Sequence, residues 1–379
     1  MSDLPSLLLA ALAAVAAHTA PPPVSGTSPA CDRACRDATL RLNDMTVVGT
    51  HNSYKQAIPR AELAALSARD AGAVALDYAF PSLTRQLEAG ARQLEIDVLN
   101  DPDGGRYARP MTALGQGTTL SPTFHAAMAQ PGFKTLHMPD VDFRSSCLRF
   151  VQCLQEIDTW SRAHPQHVPL LILLNAKTGA PSLPGGVRPL DFNAAAWDAL
   201  DAEIRSVFGV DRLISPDSVR GSHATLREAV LAGGWPRLQQ ARGKVLFALD
   251  EDAAKVAQYS AGRPSLQGRA MFVNSDEHSP AAAYLTLNDP IAQAARIRAA
   301  VAQGFIVRTR ADAETEEARR NDTRRRAAAF ASGAQYISTD YLWPDLRFSG
   351  YTVRLPAGQV AVCNPQRGAQ RCHGAALEP

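Results

Sequence analysis

Two histidines and a pair of carboxylates stand out in the first 140 residues of the chain. His51 directly follows one short apolar segment and His137 ends another, while Glu95 and Asp97 alternate with apolar residues between them. An imidazole titrates near neutral pH and can act as a general acid or a general base. A single histidine of this kind is more often structural, in the core or in a loop. Two of them on either side of a carboxylate pair indicate acid–base catalysis.

The carboxylate pair itself indicates a cation site. Glu95 and Asp97 are two residues apart, so both side chains point to the same side of a strand. Two such carboxylates repel each other unless a cation or a shared proton lies between them. With the amide oxygen of Asn52 they form a hard-oxygen donor set suited to calcium or magnesium. The alternative is a charged pair on an edge strand that faces water.

Five further residues follow later apolar segments and are candidates for substrate binding. Lys177 follows the fourth segment and is either a phosphate ligand or a solvated loop lysine. Arg308 and Arg310 lie at the end of the seventh, where they could bind a phosphate or a sugar hydroxyl, or pair with a neighbouring aspartate. Asp340 and Tyr341 end the eighth and are candidates for substrate contact.

The apolar segments themselves predict eight strands. Most are continuously apolar, as expected of strands that are covered on both faces. They are 46–49, 93–99, 134–137, 170–175, 245–249, 271–274, 305–308 and 336–339. Helical periodicity between them, for example in 192–208 and 315–332, gives an α/β protein. Polar residues at several strand ends favour a single (β/α)8 TIM-type barrel over an open doubly wound sheet.

The ends of the chain predict an exported protein. An apolar run near the start predicts a signal peptide at 1–17, followed by a linker at 18–33. The barrel is expected at 34–345, and 346–379 as a tail packed on it. Six cysteines form three close pairs, which favour local disulfides among fifteen possible connectivities: Cys31 with Cys35, Cys147 with Cys153, and Cys363 with Cys372.

Charge and hydropathy limit the partners. The net charge is only +2, with acidic and basic residues interspersed, so nucleic acid is not an expected partner. No second long apolar run follows the signal segment, so we expect no transmembrane segment in the mature chain. We predict that the mature chain is a monomer and that it is located in the periplasm or outside the cell.

Together these motifs resemble a known enzyme family. The sequences Gly-Thr-His-Asn-Ser-Tyr at 49–54, Leu-Glu-Ile-Asp-Val at 94–98, Val-Arg-Thr-Arg-Ala-Asp at 307–312 and Ser-Thr-Asp-Tyr at 338–341 are similar to those of the secreted, calcium-dependent phosphatidylinositol-specific phospholipases C of bacteria. The resemblance covers most of the chain from about residue 45 to 343. It implies a barrel with one calcium ion, rather than magnesium, at the carboxyl ends of the strands.

The resemblance also implies roles for individual residues. His51 and His137 match the catalytic pair, and Asn52, Glu95 and Asp97 match calcium ligands. A fourth ligand, a glutamate in the related eukaryotic enzymes, corresponds to Asn175, whose amide oxygen can coordinate but carries no charge.

The implied reaction is cleavage of phosphatidylinositol at a membrane surface. The inositol 2-hydroxyl attacks the phosphodiester, which releases diacylglycerol and leaves inositol 1,2-cyclic phosphate. Two alternatives remain open: a glycerophosphodiesterase or sphingomyelinase-D-like enzyme on the same barrel, and a catalytically silent barrel that binds lipid or sugar.

Overall fold

The computed structural model describes residues 31–115, 117–368, 372 and 376–378. The predicted signal peptide at 1–17 and nearly all of the predicted linker at 18–33 lie outside the described residues.

Nine strands are present in the described residues. They are β1 (Met45–Thr50), β2 (Gln93–Val98), β3 (Leu170–Ala176), β4 (Val245–Leu249), β5 (Met271–Val273), β6 (Tyr284–Thr286), β7 (Ile306–Arg310), β8 (Tyr336–Thr339) and β9 (Ala361–Cys363). One sheet has the order β6-β7-β8-β1-β9 and the other the order β2-β3-β4-β5. Within each sheet, β1 to β8 pair only in parallel. Their residues are almost entirely buried, which agrees with the continuously apolar pattern.

The two sheets meet at both ends. Between β1 and β2, the Arg92 amide donates to the Val48 carbonyl at 2.9 Å. Between β5 and β6, Asn274 and Tyr284 form a parallel bridge. The predicted α/β fold of the TIM-barrel type is therefore confirmed, and the carboxyl ends of β1 to β8 lie on one face.

Helices connect the strands. In chain order they are α1 (Arg33–Thr39), α2 (Arg60–Ser67), α3 (Leu83–Glu88), α4 (Met111–Gly115), α5 (Pro122–Ala129), α6 (Phe150–Ala163), α7 (Ala194–Val207), α8 (Pro216–Arg220), α9 (Leu226–Leu231), α10 (Leu238–Ala241), α11 (Ala253–Tyr259), α12 (Ala294–Gln303), α13 (Glu316–Arg320) and α14 (Arg324–Ala331). Over the described residues, none of them has the length and apolar character needed to cross a membrane.

One predicted barrel strand is wrong. Segment 134–137 is not a strand of either sheet; Lys134 instead makes single antiparallel bridges to Leu99 and Arg149. The segment looks like a buried strand because Leu136 packs in a second hydrophobic cluster, outside the main core, with Phe143. The strand that completes the set of eight parallel strands is β6, which has three residues and is too short to show a pattern in the sequence.

Two other segments differ from what their sequence pattern indicates. Residues 101–131 are rich in glycine and proline and show no helical periodicity, yet they contain α4 and α5; α5 is capped by the Ser121 side chain, which accepts from the Phe124 amide at 3.1 Å. The single helix expected at 315–332 is divided into α13 and α14, because Asn321 adopts a left-handed conformation with φ of 52°.

The C-terminal residues are attached to the barrel at two places. Strand β9 pairs antiparallel with β1, and Glu378 forms an ion pair with Arg92. The three predicted local disulfides are confirmed among the described residues, including Cys363–Cys372 in this segment.

Candidate active site

The loop after β1 lies directly against β2. A Cβ atom at Gly49 would collide with Gln93, so a glycine is needed where the two strands approach. The Ser53 amide donates to the Glu95 carbonyl at 2.8 Å. These contacts place His51 beside the carboxylate pair of β2.

His51 lies between two carboxylates and an arginine. Its Nδ1 is 2.7 Å from Asp340 Oδ1, and its Nε2 is 3.6 Å from Glu95 Oε1 and 3.5 Å from Arg310 Nη1. The ring stacks on Tyr78, with centroids 5.9 Å apart. Burial, and secondly the positive charge of Arg310, lower the pKa of His51 well below its usual value. The imidazole is therefore neutral at neutral pH.

The carboxylate that holds His51 belongs to a second buried group. Asp340 also accepts from Arg310 Nη2 at 2.9 Å, and its backbone amide donates to Asp312 Oδ1 at 2.8 Å. Burial, and then the charge of Asp340, raise the pKa of Asp312 to about 7. Burial also raises the pKa of Asp340, whereas Arg310 acts in the opposite direction. Arg310 thus keeps Asp340 available as a hydrogen-bond acceptor for His51.

His137 has its own buried carboxylate. Its Nδ1 is 2.9 Å from Asp142 Oδ2, which is also 3.3 Å from Lys55 Nζ. Lys55 donates to the carbonyls of Leu76 and Tyr78 at 2.8 and 2.9 Å. Burial of the Lys55 ammonium lowers its pKa, although the nearby charge of Asp142 acts in the opposite direction. Both histidines are therefore oriented through Nδ1, which leaves Nε2 for other contacts.

Each carboxylate of the predicted metal pair has a basic partner. Glu95 Oε2 accepts from Nη2 of Arg308, a residue that is 1% exposed. Asp97 Oδ2 accepts from the Tyr54 hydroxyl at 2.6 Å and is 2.9 Å from Lys177 Nζ. The pair is thus neutralised by residues of this chain.

Two buried oxygen atoms of the described residues, one in this pair and one next to it, have no hydrogen-bond partner. Asn52 Oδ1 and Asp97 Oδ1 are buried and unpaired among the described residues. Asn52 has a φ of 48°, and its Nδ2 donates to the Tyr78 hydroxyl at 2.8 Å, which identifies Oδ1 as the free atom. Such orphaned oxygens fit a hard cation.

Asn175 lies next to this donor set. It is the register partner of Asp97, and its Nδ2 donates to the Asp250 carbonyl. In the described residues, no three histidine, cysteine, aspartate or glutamate side chains converge as a metal site. The donor set fits calcium through two carboxylates and two amides, with fewer charges than an all-carboxylate site has.

The remaining predicted substrate residues differ in accessibility. Lys177 is about one-third exposed, with a side-chain accessibility of 31%, and Arg310 has one of 12%. Arg308 is held by Asn288 and Ser338 as well as by Glu95, so it lies beneath the site. Tyr341 is buried and lines a cavity of about 440 Å³ next to Asp340.

Three contributors were not found from the sequence. Tyr78 lies in a loop and Lys55 follows the His-Asn motif with no pattern of its own. Asp142 is five residues after His137, which is a weak signal that a nearby acid could orient that histidine.

A family model matches residues 40–365 of the chain, and its description is phosphoinositide phospholipase C, Ca2+-dependent. The chain belongs to this family. It is therefore a phosphodiesterase of the phosphoinositide phospholipase C type, and the family's activity depends on calcium. The family resemblance noted in the sequence is confirmed.

A solved structure from a Pseudomonas species has the same fold as this phospholipase. A calcium-dependent phosphoinositol-specific phospholipase C from a Pseudomonas species, in a myoinositol complex, is 18% identical with a TM-score of 0.52; the match covers 88% of this chain and 97% of that one. A Ca2+-dependent enzyme from Streptomyces antibioticus is 19% identical with a TM-score of 0.49, covering 80% and 95%. Comparison with curated protein sequences gives no significant match.

Proposed function

We propose that this phospholipase cleaves phosphatidylinositol into diacylglycerol and inositol 1,2-cyclic phosphate by acid–base catalysis with two histidines. One observation carries the proposal: His51 and His137 are each oriented by a buried carboxylate, beside oxygen atoms suited to calcium. Analysis of the products would distinguish this reaction from that of a glycerophosphodiesterase, which is the alternative.

His51 is the proposed general base. Asp340 accepts from its Nδ1–H, so the lone pair is on Nε2, which faces Glu95 and Arg310. The lowered pKa of His51 keeps this nitrogen unprotonated at neutral pH. It takes the proton of the inositol 2-hydroxyl as that oxygen attacks phosphorus.

His137 is the proposed general acid. Its Nδ1 donates to Asp142, which fixes the orientation of the ring. As the bond from phosphorus to the glycerol oxygen breaks, Nε2–H of His137 gives its proton to that oxygen. Diacylglycerol leaves as a neutral alcohol and the inositol phosphate closes into a ring.

Asn52, Glu95, Asp97 and Asn175 would hold one calcium ion, which would lower the pKa of a bound hydroxyl and offset charge on the phosphate. Lys177 and Arg310 are the accessible basic residues that we propose contact the phosphate. Asp340 acts through His51 and not on the substrate.

Other parts of the proposal concern where the enzyme works. The substrate is a lipid, so the protein binds a membrane surface peripherally and transiently. Three disulfides support an oxidising location, periplasmic or extracellular. The monomeric state stays a prediction.

The test is cleavage of phosphatidylinositol vesicles with calcium and with excess chelator, with the products separated. We expect calcium-dependent release of diacylglycerol and inositol 1,2-cyclic phosphate. Activity that is unchanged by chelator would contradict the metal role. A free alcohol released from soluble glycerophosphodiesters, without cyclic product, would instead identify a glycerophosphodiesterase.

A further inference from the structure

The two basic partners of the Glu95 and Asp97 carboxylates differ in how firmly they are held. Arg308 is 1% exposed and donates to Asn288 Oδ1 at 2.6 Å and to Ser338 Oγ at 3.1 Å as well as to Glu95. Arg308 therefore cannot leave without unpairing several buried groups.

Lys177 is held by much less. Its side chain is 31% exposed, and its ammonium lies 2.9 Å from Asp97 Oδ2 at the mouth of the site. Its position is set by the backbone, because its amide donates to the Val98 carbonyl at 2.9 Å at the end of β2. A lysine on a flexible four-carbon stem can turn towards solvent while its backbone stays in place.

Asp97 is also the carboxylate of the pair that has a buried oxygen atom free for a cation. Its second oxygen is buried and unpaired, whereas Asn175, its register partner on β3, supplies no charge. A divalent ion bound to Asp97 would repel an ammonium that remained at 2.9 Å from the same carboxylate.

We propose that Lys177 is an exchangeable counter-ion of the calcium site. Without metal its ammonium neutralises Asp97. When calcium binds, the ammonium leaves Asp97 and turns outwards, towards the position of the substrate phosphate. Calcium binding and the Lys177–Asp97 contact therefore compete, while Arg308 stays on Glu95 in both states. The inference rests on the proposed calcium site and adds its regulation.

The experiment measures calcium binding to the purified, chelator-stripped protein by isothermal titration, without substrate. Lys177→Met removes the competing charge, so calcium should bind about fivefold or more tightly than in the wild type. Lys177→Arg keeps the charge and should not tighten binding. Lys244→Met, at the amino end of β4 on the opposite face, is the matched control and should leave affinity unchanged.

Thermal unfolding gives a second readout. Stripped Lys177→Met should melt below the stripped wild type, because buried Asp97 has lost its counter-ion, and saturating calcium should remove most of that difference. If Lys177→Met does not fold, Lys177→Gln replaces it in both measurements.

An affinity for calcium in Lys177→Met that is unchanged, weaker, or tighter by less than about fivefold would overturn the inference. Asp97→Asn separates this failure from failure of the site. If the wild type binds calcium and Asp97→Asn does not, the proposed calcium site is supported, and a failed Lys177→Met result overturns only the role of Lys177. If Asp97→Asn binds calcium as the wild type does, the proposed metal ligands are themselves wrong.

Discussion

The assignment of His137 as the general acid can be tested by changing the leaving group. In His137→Ala, the glycerol oxygen of phosphatidylinositol must leave without a proton donor. We expect kcat to fall by about 10²–10⁴-fold, or roughly 3–5 kcal/mol in activation free energy. With a 4-nitrophenyl phosphodiester of inositol, the leaving oxygen is stable as an anion, so most of this loss should disappear.

The fold should survive the change. Asp142 is fully buried, but it retains Lys55 as a counter-ion at 3.3 Å when the imidazole is removed. The side chain of His137 is 20% exposed, so its truncation leaves a small, solvent-accessible gap. We therefore expect a loss of stability of about 1–2 kcal/mol, seen as a modest shift in melting temperature.

Two variants complete the measurement. His51→Ala removes the base and should lose comparable activity on both substrates, because proton removal from the 2-hydroxyl is needed in each case. His223→Ala changes an exposed histidine of the α8–α9 connection and should retain activity. An equal loss on both substrates in His137→Ala, or recovery of His51→Ala with the nitrophenyl ester, would refute the assignment of acid and base.

Three further outcomes follow from the contacts. Asp340→Asn should lower kcat by about 10²–10⁴-fold with the fold intact, because His51 loses the acceptor that fixes its tautomer; a loss below tenfold in steady-state kinetics would contradict this. Burial lowers the pKa of His167 to about 4, so the unfolded chain binds more protons between that value and 6.5. Stability should therefore fall by about 3 kcal/mol as pH drops through this range, and urea unfolding of His167→Asn should show a flatter pH dependence. Replacing Cys147 and Cys153 by serine should cost about 2–3 kcal/mol of unfolding free energy; an unchanged urea midpoint would show that the disulfide does not stabilise the fold.

Much of the molecule could be predicted from local sequence. Seven of the eight barrel strands among the described residues follow from short apolar segments, because strands covered on both faces must be apolar throughout. His51, Glu95 and Asp97 could be proposed as site residues because polar residues within or just after a short apolar strand have few structural roles. The disulfides could also be predicted, because each closes a short loop and its two cysteines are therefore close in the sequence.

What the sequence could not determine depends on which distant segments meet. Segment 134–137 has the composition of a strand, yet it packs in the second cluster, because burial of an apolar segment does not specify its hydrogen-bond partners. Strand β6 has only three residues and is defined by its neighbours on both sides.

The same limit applies to the site. His51 alone indicates acid–base chemistry, but its acceptor Asp340 lies 289 residues away and reaches it only where β8 pairs with β1. Arg308 meets Glu95 across the barrel, over 213 residues. The sequence determined which chemical groups stand at the strand ends. Only the tertiary structure decided which charges they face, because the barrel brings together the ends of strands that are remote along the chain.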